Sequence, residues 1–185
     1  RKAQWSGERL AGVDDLLREV TRALSKLAQL KANQRGIVES DALHMVIEML
    51  GATDGSGEGA VSLGVKQEAL ELLGHLADLS ECLSMLVSDG ALQSLIALLH
   101  LRGDSAIETA AAELLAKLAA VSQYQSQVSA DTVPLLVELL HSAAPAAQLA
   151  GLHALNELLF ERRANQLAAL KAGLVEPCVK LARSD

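Results

Sequence analysis

GALQSLIALL, residues 90–99, is one of four decapeptides that share an apolar pattern. The other three are DALHMVIEML at 41–50, DTVPLLVELL at 131–140 and GLVEPCVKLA at 173–182. They end at residues 50, 99, 140 and 182, so the intervals are 49, 41 and 42 residues. A period of roughly 40–47 residues is typical of arrays built from two or three helices per repeat. The sequence therefore predicts stacked helical repeats.

A second pattern lies between the decapeptides, at 69–77 (ALELLGHLA), 111–119 (AAELLAKLA) and 151–159 (GLHALNELL), with a shorter match at 21–28 (TRALSKLA). Ala or Leu recurs in steps of three and four residues, which predicts one apolar helix face. A short segment before each decapeptide is long enough for one or two helical turns. Each repeat is thus predicted to contain a short helix, a middle helix formed by the decapeptide, and a long helix.

The composition also favours helices. Half of the 185 residues are hydrophobic, but there is only one Trp, one Tyr and one Phe, so the core must be aliphatic. Leu and Ala are strong helix formers, and only three prolines occur. Ser105 and Glu108 fit a capping box at one helix start, and Pro145 suits the first turn of another. We expect an all-α fold with no sheet.

These patterns resemble the armadillo family, whose middle helix reads roughly Gly-Ala-Ile-Pro-x-Leu-Val-x-Leu-Leu. SDGALQSLIALL and SADTVPLLVELL match it, with Pro134 in the family's proline position and Pro177 one residue late. The resemblance implies a right-handed α-α superhelix, an armadillo-like solenoid whose long helices line a concave groove. We expect one domain over 1–185. Its predicted parts are a leading long helix (10–30), repeats at about 33–79, 80–121 and 122–162, a partial repeat (163–185), and a flexible Gly-rich loop (51–64).

The charge distribution constrains the partner. Residues 1–36 carry 8 − 4 = +4, residues 37–161 carry 3 − 17 = −14, and residues 162–185 carry 5 − 2 = +3. The acidic centre would repel phosphates, so we expect no nucleic acid partner and favour a basic segment of a partner protein. The longest uncharged stretch, 139–156, contains a proline and several polar residues, so we expect no direct membrane insertion.

Residues with chemical potential do not form a recognisable site in the sequence. The loop at 51–64 lacks the Lys-Ser/Thr ending of a phosphate-binding loop, and no His has ligand spacing to Cys or another His. His100 and His141 each follow the last Leu of a decapeptide, where a helix C-terminus favours positive charge. We therefore predict a non-enzymatic protein without metal or cofactor. Cys82 and Cys178 indicate a reducing, intracellular location, cytoplasmic or nuclear.

The resemblance also suggests binding positions. In armadillo proteins that bind nuclear-import signals, the long helix carries Trp and, four residues later, an Asn that bonds the peptide backbone. No matching pair here is Trp and Asn, and Trp5 lies outside the pattern. Charged groups at these positions would replace backbone clamping by ion pairing, although an ordinary solvated helix face is the alternative. The predicted concave-groove residues are Arg22, Lys26, Glu71, His75, Asp78, Glu113, Lys117, His153 and Glu157.

The predicted function is a protein–protein interaction scaffold or adaptor that holds a basic partner segment in the groove. Two alternatives stay open. One is a nucleotide-exchange factor for a heat-shock chaperone ATPase. Armadillo-like proteins promote nucleotide exchange by gripping a nucleotide-binding lobe of the ATPase. The other is a section of a larger membrane-tethered or cytoskeletal armadillo organiser, in which further repeats would continue the array.

Overall fold

The computed structural model describes residues 13–52, 61–100, 104–125, 128 and 132–183, and within these residues every regular element is a helix. The all-α prediction is therefore confirmed. The helices are α1 (Val13–Ala28), α2 (Lys31–Val38), α3 (Asp41–Gly51), α4 (Leu63–Leu76), α5 (Ser80–Ser88), α6 (Ala91–His100), α7 (Ser105–Ala120), α8 (Ser122–Gln125), α9 (Thr132–Leu139), α10 (Pro145–Leu159), α11 (Arg163–Lys171) and α12 (Val175–Ala182).

The helices follow the predicted order of short, middle and long. The sets α2–α4, α5–α7 and α8–α10 each contain one helix of each kind, and α1 is a long helix. α11 and α12 follow in the places of a short and a middle helix, although they are nearly equal in length, at 9 and 8 residues. α2 begins at Lys31, two residues before the predicted start of its repeat. Residues 10–12 of the predicted leading helix, residues 53–60 of the predicted loop and Trp5 lie outside the described residues.

The helix starts depend on local side chains. The prediction that Ser105 caps α7 is wrong, because Oδ1 of Asp104 accepts the backbone N–H groups of Ala106 at 3.1 Å and Ile107 at 3.3 Å. Asp104 thus satisfies two N–H groups that the helix leaves open, and Ser105 becomes the first helical residue. Pro145 lies in the first turn of α10, as predicted, where its missing N–H costs no hydrogen bond.

The chain divides into two compact units, Arg1–Ser94 and Leu95–Asp185. In unit 1, α1 packs along α4, and α3 packs against α4. Met49 of α3 and Val65 of α4 belong to one buried cluster, with Leu17 of α1 packed against it. The aliphatic side chains of three helices therefore form this part of the core, as the composition predicts.

In unit 2, α10 packs against both α7 and α9. A Cβ on Gly151 of α10 would lie 3.3 Å from the backbone oxygen of Leu136 and 3.3 Å from Cδ2 of Leu140, both on the α9 side. The absence of a side chain at Gly151 therefore permits a close approach of α10 to α9.

An Asn-Gln pair near the start of α2 and α11 closes the end of the preceding long helix. Asn33 Nδ2 donates to the Leu27 carbonyl at 3.0 Å, and Gln34 Nε2 donates to the Ala28 carbonyl at 2.8 Å. The same pair recurs in α11, where Asn165 Nδ2 donates to Leu158 O at 2.7 Å and Gln166 Nε2 to Leu159 O at 3.0 Å. These amides satisfy carbonyl groups that have no partner within their own helix.

His44 links α3 to the end of α5 in unit 1. Its Nδ1 lies 2.9 Å from Asp89 Oδ2, and its Nε2 lies 3.4 Å from Glu48 Oε1. The hydrogen bond with Asp89, together with the negative charges of Asp89 and Glu48, raises the pKa of His44 above 6.5. Because the pKa of His44 is raised in the folded state, the contact gives its full stabilisation at pH values below 6.5. This stabilisation is lost as the pH rises through the raised pKa.

We therefore expect an NMR titration of the His44 ring to give a midpoint above 6.5, and Asp89→Asn to lower that midpoint. The stability advantage of the wild type over Asp89→Asn should be larger at about pH 5.5 than at about pH 8.5. A midpoint that does not respond to Asp89→Asn would show that the hydrogen bond is not its cause.

The remaining sequence expectations concern cysteines and membrane spans. Cys82 is buried and Cys178 is half-buried. Among the described residues, no single helix has both the length and the hydropathy of a membrane span, although the bent pair α5 and α6 together meet that standard by length and composition.

Candidate functional site

The nine residues predicted to bind a partner all lie on the long helices or directly after one. None of them is buried. The half-buried ones are Arg22, His75 and Lys117, and the exposed ones are Lys26, Glu71, Asp78, Glu113, His153 and Glu157. Each unit contributes one pair of adjoining long helices, α1 with α4 in unit 1 and α7 with α10 in unit 2.

In unit 1, Arg22 of α1 is held by two carboxylates. Its Nε and Nη2 lie 2.9 and 2.6 Å from Oε1 of Glu68 on α4, and its Nη1 lies 2.6 Å from Oε1 of Glu19. The hydrogen bond to Glu68 raises the pKa of Arg22, and the charges of Glu19, Glu68 and Glu71 act in the same direction. Arg22 therefore uses its guanidinium to join α1 to α4, and Glu71 lies within its electrostatic reach.

Sequence reasoning missed Glu68 and Arg18, which complete this cluster. The Glu68 side chain is largely buried, and Arg18 Nε lies 3.8 Å from its Oε1. Arg18 also lies over Gly64 of α4, where a Cβ would be 3.4 Å from its guanidinium carbon. The available signal was a spacing: Arg18 and Arg22 are four residues apart on α1, and Glu68 precedes Glu71 by three residues on α4. Such spacings place each pair on one helix face.

A row of polar groups follows one side of α4 and continues into the turn after it. Gln67, Glu71, His75 and Asp78 follow one another at steps of four, four and three residues. Gln67 Nε2 donates to Glu71 Oε1 at 3.4 Å. The structure therefore places two predicted residues, Glu71 and His75, on one side of α4, and Asp78 lies in the turn just after the helix ends.

In unit 2, the predicted residues form two pairs with four-residue spacing. Glu113 and Lys117 lie on α7, and His153 and Glu157 lie on α10, which packs along α7. The backbone carbonyl of Glu157 accepts Nε2 of Gln125 at 2.6 Å, which ties α8 to α10. The exposed carboxylates of Glu113 and Glu157 can accept hydrogen bonds from Lys or Arg side chains of another molecule.

Other features lie away from these faces. A cleft of about 560 Å³ in unit 2 is lined by Glu108, Glu138 and His141 among others, and by none of the nine predicted residues. Over the described ranges, no group of three or more His, Cys, Asp or Glu side chains is arranged to hold a metal ion. The long-helix faces are therefore the candidate site, and their chemistry is ion pairing and hydrogen bonding.

No protein-family model matches the chain, and no curated protein matches it in sequence. Among solved structures, two engineered proteins superpose with TM-scores of 0.77 and 0.78 at 26% and 25% identity, covering 94% and 98% of this chain and 68% and 71% of theirs. A designed armadillo repeat protein in complex with the peptide (KR)4 superposes with a TM-score of 0.75 at 21% identity, covering 94% of this chain and 71% of its own. Together with its short, middle and long helices, this similarity shows that the chain has the armadillo-like repeat fold.

Proposed function

We propose that this chain is a non-enzymatic protein–protein interaction scaffold that binds a basic peptide segment along its long helices. The observation that carries the proposal is the exposure of four carboxylates there: Glu71, Asp78, Glu113 and Glu157. Each compact unit contributes two of them. Within each unit, exposed carboxylates suit a segment that carries Lys or Arg side chains.

Two further observations support a basic partner. Residues 37–161 carry seventeen acidic against three basic residues, so the field over this part of the chain favours positive ligands. In addition, two solved structures with a similar fold concern peptide binding. One is a designed armadillo repeat protein in complex with the peptide (KR)4, and the other was designed for modular peptide recognition. Their sequences are only 21% and 22% identical to this one, so they support the general mode of binding rather than its details.

The cluster around Arg22 refines this proposal. Because its guanidinium bonds Glu68 and Glu19, we assign Arg22 to the positioning of α1 against α4 rather than to direct contact with the partner. Glu71, which is exposed next to this cluster, is the better contact residue in unit 1. Glu113 has the equivalent place in the long-helix pattern of unit 2 and is also exposed.

The test uses fluorescently labelled (KR)4 as the probe and measures its binding by anisotropy at two salt concentrations. Combined substitution Glu71→Lys and Glu113→Lys should weaken binding at least about tenfold and flatten its salt dependence, because both changes place positive charge beside the positive peptide.

The matched control carries Glu48→Lys and Glu176→Lys. Both of these glutamates are exposed and lie on middle helices, one in each unit, so the net charge changes by the same amount. Equal weakening by both double variants would show that the overall charge causes the effect. The long-helix faces would then not be the binding site. No binding of (KR)4 to the wild type at low salt would reject a basic partner.

A further inference from the structure

α1 carries a row of three basic side chains, two of which reach α4. Arg18, Arg22 and Lys26 follow one another in steps of four residues, which places them along one side of the helix. None of the three is buried. In the long-helix pattern that aligns residues 21–28 with 70–77, α4 carries an amide, a carboxylate and an imidazole at the same places: Gln67, Glu71 and His75. The basic row on α1 therefore corresponds, place by place, to the polar row on α4.

Contacts between α1 and α4 bring the two rows together. Arg22 Nη2 lies 2.6 Å from Glu68 Oε1, and Arg18 Nε lies 3.8 Å from the same oxygen. Glu68 precedes Glu71 by three residues and so lies one turn away on the same side of α4. The pKa of Arg22 is raised by the hydrogen bond to Glu68 and also by the charge of Glu71. Unit 1 therefore presents an exposed carboxylate on α4 beside positive groups on α1.

Lys26 is the positive group of this row that the protein itself does not pair. It is exposed, and among the residues that the structure describes it has neither a hydrogen bond nor an ion pair. Arg22, in contrast, bonds both Glu68 and Glu19. No Asp or Glu occurs between Glu19 and Glu39, so α1 offers no carboxylate within one turn of Lys26. An acidic group of another molecule is the counterion that fits this ammonium group.

We propose that the partner segment bound by unit 1 has mixed charge, with a basic residue that pairs with Glu71 and an acidic residue that pairs with Lys26. Packed helices lie about 8–10 Å apart, a distance that an extended chain spans in about three residues. The acidic and the basic residue of the partner are therefore about three positions apart. His75, which has the place of Lys26 on α4, supplies a second hydrogen-bond donor for the acid. This inference rests on the proposed function and refines the chemistry of its partner.

The test compares fluorescently labelled octapeptides by anisotropy at low salt. Each test peptide has two Lys-Arg dipeptides at one end and two Ser-Glu dipeptides at the other, in both orders, and each reference peptide has Ser in place of Glu. In at least one order, the glutamate peptide should bind about two- to fivefold more tightly than its reference, the scale of one exposed ion pair. Because the net charge of the chain is −7, long-range charge alone would give the opposite result.

Substitutions of Lys26 show whether it causes this preference. Lys26→Gln should abolish the preference, and Lys26→Glu should reverse it. The matched control is Lys171→Glu, which makes the same change of charge at an exposed residue of α11 in unit 2 and should leave the preference unchanged. Circular dichroism of each variant checks that the helices remain folded.

Two results would overturn this inference and leave the proposed function standing. In the first, the reference peptides bind, but the glutamate peptides bind more weakly in both orders. In the second, the preference for glutamate survives Lys26→Glu. A failure of every peptide to bind, (KR)4 included, would reject the proposed function and this inference with it.

Discussion

Replacing Leu115 with Ala is expected to lower the free energy of unfolding by about 2–5 kcal/mol, the cost of a cavity in an aliphatic core. Leu115 is completely buried on α7, the helix that packs along α10 in unit 2. With almost no aromatic residues in the chain, each buried leucine supplies a large share of the apolar contact between helices. Urea unfolding followed by circular dichroism at 222 nm, a standard helix signal, measures the change.

The matched control is Leu149→Ala on α10. Leu149 is 53% exposed, so the same deletion of side-chain atoms there should change the free energy of unfolding by no more than about 0.5 kcal/mol. The two variants differ in burial rather than in chemistry. Similar losses in both would indicate that α7 is not packed as described, and no loss at Leu115 would contradict a close-packed core in unit 2.

Replacing Asn165 with Ala should cost about 1–3 kcal/mol, because it removes the amide that satisfies a buried carbonyl group. Asn165 Nδ2 donates to Leu158 O at 2.7 Å, Leu158 is completely buried, and Asn165 itself is 8% exposed. Water therefore has little access to the carbonyl when the amide is lost. Thermal and urea unfolding of the variant give the change in stability.

The neighbouring residue provides the control. Gln166 donates to the next carbonyl, that of Leu159, at 3.0 Å, but Gln166 is exposed, so water can replace it. We expect Gln166→Ala to cost at most about 0.5 kcal/mol. If both variants lose the same stability, burial does not set the strength of these caps, and the difference expected here is wrong.

The helices themselves could be predicted because their signal is local and repeated. The same apolar spacing recurs in four decapeptides and in the long-helix patterns, so each copy supports the assignment of the others. The exceptions are helix ends. α2 begins two residues early at Lys31, and Asp104 rather than Ser105 caps α7, because Asp and Ser are comparable caps and only the backbone geometry selects between adjacent candidates.

The candidate site was less accessible to sequence reasoning. The repeat placed Glu71 and Glu113 on exposed positions of long helices, because the apolar pattern fixes which face is buried. It did not reveal that Glu68 binds Arg22, since a contact between α1 and α4 depends on the rotation and separation of two helices that are far apart in sequence. Nor could it show that Leu16 of α1 is exposed, because the residues at the same place in the long-helix pattern, Val65 of α4 and Ile107 of α7, are both buried.

The Asn-Gln caps also affect how the chain can be divided into fragments. A cut at residue 162, where the sequence period ends a repeat, would leave α10 without the amides of Asn165 and Gln166 that close its last turn. The same applies to α1, whose last carbonyls are closed by Asn33 and Gln34. A fragment that ends with α1 or α10 should therefore retain about one turn beyond that helix. At these two helices, the end of the stable segment lies about one turn after the end of the sequence repeat.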